Sequence, residues 1–119
     1  MTRPRNDSHS TEFGLWLRKQ PKIGSGVGFN ASNLDYIWEN YKTGKWMLIE
    51  EKRYKKYCTW AQSNLFKKLN DSITDPLYCG FHVIRFENTS PEDGKIWWDN
   101  KEITTEELLD ILRFSARTP

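Results

Sequence analysis

Two strand-like runs set the frame of this chain. Residues 34–41 (LDYIWENY) and 45–54 (KWMLIEEKRY) are rich in branched and aromatic side chains and are separated by Lys42-Thr43-Gly44, the pattern of a hairpin. The second run is the stronger constraint, because Trp46-Met47-Leu48-Ile49 leads straight into Glu50-Glu51-Lys52. An exposed hairpin rarely carries WMLI immediately before its charges, so the rest of the chain must supply a core to receive it. With 119 residues there is enough chain for one domain to do so. Mean hydropathy is low at −0.79 and 29% of residues are charged, but 14% are aromatic, including six Trp, which argues against disorder outside the termini.

The remaining segments read in order around that hairpin. Residues 1–10 (MTRPRNDSHS) are expected to form a flexible polar tail ending in a helix cap at Ser8 or Ser10. A helix is expected over 11–19, burying Phe13, Leu15, Trp16 and Leu17, and Pro21 ends it. Residues 22–33, with Gly24, Gly26 and Gly28, read as a loop or an irregular first strand; GSGVG lacks the spacing of a dinucleotide fingerprint. A second helix is expected over 59–73, where Thr59 and Gln62 fit a capping box and Leu65, Phe66, Leu69 and Ile73 share a face. Residues 78–87 (YCGFHVIRFE) read as a central strand, and a turn at 90–94 leads to a strand over 95–98 and a strand stub ending at Ile103. Thr104 and Glu107 form a second capping box opening a C-terminal helix that runs to about residue 114. The expected fold is α/β, a small mixed sheet flanked by helices, forming a single domain over 11–115. Phe13, Trp16, Trp38, Trp46, Phe66, Phe81 and Phe86 are its candidate core rings, and Trp97-Trp98 places one ring inside and one at the surface, where it is a candidate dimer contact.

Several classes are excluded. No run approaches the roughly 18 apolar residues of a membrane span, and the polar N-terminus carries no signal core, so a soluble cytoplasmic protein is expected. Cys58 and Cys79, with only His9 and His82, make no tetrahedral zinc set and read as reduced, partly buried thiols.

The chemistry gathers on the hairpin. Side chains alternate along a strand, so Glu50 and Lys52 point one way and Glu51 the other. Hairpin pairing brings Asp35 level with residues 50–52. Asp35 and Glu50 are oxygen ligands suited to a hard cation such as Mg²⁺ (or Mn²⁺). Such a metal polarises a phosphate and acidifies a bound water, while Lys52 would stabilise developing charge or orient the attacking water. The same charges on an exposed hairpin would be only a solvated face; the apolar run before them favours the site.

This constellation and element order resemble the PD-(D/E)XK nuclease superfamily, with its restriction-endonuclease-like αβββαβ core, over about residues 10–88, followed here by a C-terminal β and helix. The resemblance implies that Asp35 and Glu50 bind the metal, that Glu51 lends its backbone carbonyl, and that Lys52 is catalytic. It also implies a place for Glu12, on the first helix, in the site. Leu34 stands where the superfamily's name has proline. Gln62 matches a glutamine that in some branches approaches the metal or the DNA, and equally completes the cap with Thr59. No organic cofactor is implied.

The net charge of +2 conceals segregation. Lys42, Lys45, Lys52, Arg53, Lys55 and Lys56 lie between residues 42 and 56 against two acids, whereas residues 87–110 are strongly acidic. Arg53, Tyr54, Lys55, Lys56 and Tyr57, with Trp60, interleave cations and rings as nucleic-acid binding requires, and Arg18, Lys19 and Lys22 would extend the track. The expected function is therefore a metal-dependent DNA endonuclease. A homodimeric Holliday-junction resolvase acting on branched DNA and a small phage or mobile-element nuclease are both compatible. A non-catalytic nucleic-acid-binding module and a protein-interaction domain are the alternatives.

Overall fold

A computed structural model of the chain describes residues 11–115, so the expected tail over 1–10, with its cap at Ser8 or Ser10, lies outside it. The backbone divides into two compact units, one up to Ala31 and one from Ser32 onward.

In the first unit, α1 (Glu12–Arg18) is capped by Thr11, whose hydroxyl accepts from the Gly14 N–H at 3.1 Å. The helix buries none of its residues. Phe13 and Trp16 stack on one another with centroids 6.1 Å apart and are exposed, which corrects their assignment to the core. Residues 22–33 form no strand: Pro21–Ile23 and Ser25–Val27 are 3₁₀ turns.

The second unit is mixed α/β. Its elements are β1 (Tyr36–Glu39), β2 (Trp46–Lys52), α2 (Trp60–Ser72), β3 (Tyr78–Phe86), β4 (Ile96–Trp98), β5 (Lys101–Ile103) and α3 (Thr105–Leu112). One five-stranded sheet carries the strands in sequence order, with β2 and β3 parallel and the other neighbours antiparallel. A parallel pair needs a crossover, and α2 provides it. Two strands precede α2 among the described residues, where αβββαβ has three.

Alternation sorts the side chains onto two covered faces. Met47, Ile49, Ile84, Phe86, Ile96, Trp98 and Ile103 form the main core with Leu108 of α3. On the opposite face Leu48 pairs in register with Phe81, whose ring meets Phe66 of α2 at 4.9 Å. Covering both faces is what allows β2 an unbroken apolar run. Trp38 sits on the edge strand, partly exposed, its indole N–H donating to the Leu112 carbonyl at 2.8 Å, so it is a tether rather than a core ring. Trp46 and Phe81 are half-buried. Of the Trp97-Trp98 pair, Trp98 enters the core, while Trp97 is half-buried against Arg85 rather than at the surface. Both thiols are free, and Cys79 is exposed rather than partly buried.

Local chemistry fixes the element ends. Both capping boxes form: Thr59 with Gln62 and Thr104 with Glu107. The β1–β2 turn is organised by Asn40, whose side-chain oxygen accepts from the Lys42 N–H at 2.9 Å, and by Gly44 at φ +84°. No helix among the described residues is long and apolar enough to cross a membrane.

Candidate functional site

The β1–β2 register, Tyr36 opposite Ile49, continues one step to set Asp35 beside Glu50. The two acids interlock across the strands: the Asp35 N–H donates to Glu50 Oε1 at 3.3 Å, and Asp35 Oδ2 accepts from the Glu51 N–H at 2.8 Å. Glu50 is only 3% exposed, since it shares the α2-covered face with Leu48. Lys52, two residues on, turns to the same side and places Nζ 3.3 Å from Glu50 Oε2. The same ammonium donates to Gln62 Oε1 at 3.0 Å. That oxygen also accepts from the Thr59 N–H at 3.1 Å, so Gln62 completes the helix cap and contacts the lysine with one atom. Of the two roles open to Gln62 in the sequence, the helix cap is formed.

Burial pushes the Glu50 carboxyl up to about 7, and the charge of Asp35 pushes the same way, with Lys52 opposing. Near neutral pH Glu50 is therefore only partly ionised, and the two acids and one lysine carry a full negative charge in excess only above that range. Burial also pushes the Cys58 thiol up, against the pull of Lys52. Cys58 therefore belongs to the electrostatic surroundings of this cluster, a role its sequence context did not reveal.

The side chain of Glu51 faces away, as alternation requires. Its Oε2 lies 2.7 Å from Arg53 Nε and its Oε1 accepts from the Tyr36 hydroxyl at 3.2 Å. Only the backbone of Glu51 belongs to the cluster. Among the described residues no group of three or more His, Cys, Asp or Glu is placed to hold a metal ion. The donors the cluster offers are the two carboxylates of Asp35 and Glu50, a set Mg²⁺ accepts when waters and phosphate complete its shell. Glu12, Arg18, Lys19 and Lys22 belong to the first unit.

Beyond Lys52 the strand is stopped by Tyr54 and Lys55, at φ +56° and +63°. Their N–H groups donate to the carbonyls of Asn88 and Phe86, both at 2.9 Å, which folds residues 53–59 over the end of β3. Arg53 is engaged by Glu51, whereas Tyr54, Lys55, Lys56 and Tyr57 are exposed. Beneath them is Arg85, paired in register with Lys52 and 6% exposed. Its guanidinium carbon lies 4.1 Å from the Tyr57 ring centroid and 4.9 Å from that of Trp97. Sequence reading passed over Arg85. The available signal was a lone arginine inside the otherwise apolar VIRF segment.

Comparison of the chain with protein-family models, with characterised proteins and with solved structures finds no match.

Proposed function

We propose that the chain is a metal-dependent DNA endonuclease of the PD-(D/E)XK, restriction-endonuclease-like kind. The observation that carries this reading is the cluster at the end of β2, in which Asp35, a buried Glu50, Lys52 and Gln62 are joined by direct contacts. As Glu50 ionises through about 7, this acid pair gains a negative charge in excess at the end of an apolar strand, which is costly for a merely structural hairpin. A divalent cation would relieve that charge, and Asp35 and Glu50, with the Glu51 carbonyl, are the groups that would hold it. When bound, the cation would supply Lewis-acid polarisation of a phosphodiester and a more acidic water. Lys52 would then stand beside the phosphate to stabilise the charge that develops on its oxygens, its ammonium oriented by Gln62 Oε1. Lys55 and Lys56 would hold flanking phosphates. Two features depart from the superfamily pattern, two strands rather than three before α2 among the described residues and Leu34 in place of proline. Neither removes a residue of the cluster.

The test is incubation of the full chain with four-way-junction, duplex and single-stranded DNA in Mg²⁺, in Mn²⁺ and in EDTA. Metal-dependent strand cleavage is expected. Paired nicks confined to the junction would select a homodimeric resolvase, and cleavage of other substrates a more general nuclease. No cleavage of any substrate in either metal would overturn the reading and leave a non-catalytic binding module.

A further inference from the structure

The segment over 53–59 leaves rings in water. Tyr54, Tyr57 and, at the start of α2, Trp60 are 60%, 67% and 80% exposed. Tryptophan is highly buried on average, so an 80% exposed ring at a helix start stands out. Lys55 and Lys56 stand exposed between the rings. Nor is Tyr57 loose, because the Arg85 guanidinium packs against its ring, and Arg85 Nη1 donates to the Lys55 carbonyl at 3.4 Å. A pre-positioned ring loses little freedom when a partner stacks on it.

Arg85 itself supplies a second, independent observation. It is 94% buried, it forms no ion pair among the described residues, and its Nε there has no hydrogen-bond partner. Buried charges are ordinarily paired. Among the described residues the cation is balanced by two ring faces and one carbonyl, directly beneath an exposed lysine pair. A polyanion lying over the segment would provide the missing negative charge.

We infer that residues 53–60 form a platform for an unpaired nucleic-acid strand. Successive bases stack on Tyr54, Tyr57 and Trp60, and phosphates pass Lys55 and Lys56 above Arg85. Within a duplex both faces of each base are covered by neighbours, so exposed rings find nothing to stack on except at ends; an unpaired stretch offers every base face. The platform leads directly out of Lys52. This rests on the nucleic-acid part of the proposed function and narrows its substrate to one with unpaired nucleotides beside the cleaved bond. Arg85 acts here as a positioning residue, through Tyr57.

The experiment is fluorescence-anisotropy binding of the full chain, in EDTA so that cleavage does not interfere, to a labelled single strand and to a blunt duplex of the same sequence. Tighter binding of the single strand is expected. Trp60→Ala, at a site too exposed to disturb folding, should weaken single-strand binding about tenfold or more and duplex binding little. Tyr57→Phe should keep the preference and Tyr57→Ala lose it. Arg85→Lys, which retains charge but not the planar contact, should lower the ratio of single-strand to duplex affinity. Equal or tighter duplex binding, or an unchanged Trp60→Ala, would overturn the inference. Single-strand binding without cleavage under Mg²⁺ would support it while overturning the nuclease reading. Cleavage of duplex and single strand at equal rates, with equal binding, would do the reverse.

Discussion

At the scale of single residues, the account turns on the way Glu50, Lys52 and Gln62 constrain one another. Gln62 Oε1 holds both the helix cap and the lysine. Gln62→Leu should therefore cost about 1 kcal/mol in stability through the cap and lower activity roughly 10- to 100-fold by releasing Lys52. Gln62→Glu, which satisfies the same capping box, should retain stability; urea unfolding and cleavage rates separate the two effects. Glu50 predicts a pH dependence. Its folded pKa, about 7 in the absence of metal, exceeds the ordinary 4.5, so the unfolded chain ionises first. Stability should fall as pH rises from about 4.5 to about 7 and level off above. Glu50→Gln in EDTA should flatten that part of the curve. His82 adds a second slope of the same sign. Burial lowers its pKa, but the bonds to Asp99 and the Cys79 carbonyl outweigh this and leave it above 6.5. Its contribution is full below 6.5 and is lost as pH rises through the raised value, so His82→Gln should flatten the upper part of the curve and leave the lower.

At the scale of elements, the turn between β1 and β2 determines whether Asp35 meets Glu50. Gly44 sits at φ +84°, and an added Cβ would stand 2.9 Å from Leu77 Cδ1. Gly44→Ala should cost more than about 1 kcal/mol, read as a lower urea midpoint at unchanged slope. The sequence made most of this level legible. Period-2 runs around KTG foretold the hairpin, and two Thr-x-x-Gln/Glu boxes foretold the starts of α2 and α3. The ends of β1 and β2 were read too long, because Tyr54 and Lys55 break β2 through left-handed backbone that no glycine announces. Packing over long range was less legible. Phe13 and Trp16 look like core by type, yet α1 buries none of its residues, and Trp38 spends its ring as an edge-strand tether. Arg85 stayed hidden because its partners, Tyr57 and Trp97, lie far from it in sequence and meet it only through the fold of residues 53–59.

At the scale of the whole molecule, a net charge of +2 conceals a basic segment leading out of β2 and an acidic C-terminal third. Nucleic-acid affinity should therefore be local and fall with added salt as phosphate contacts are lost. The central claim is that the Asp35–Glu50–Lys52 cluster performs metal-dependent phosphodiester hydrolysis. The most direct measurement is the cleavage rate of end-labelled DNA by the wild type, Glu50→Gln and Lys52→Ala across a Mg²⁺ titration, with folding of each variant checked by thermal unfolding. Cleavage by the wild type that rises with Mg²⁺ and drops at least 100-fold in both folded variants is the predicted result. Equal cleavage by all three proteins, or none by the wild type at any Mg²⁺ concentration, would contradict it.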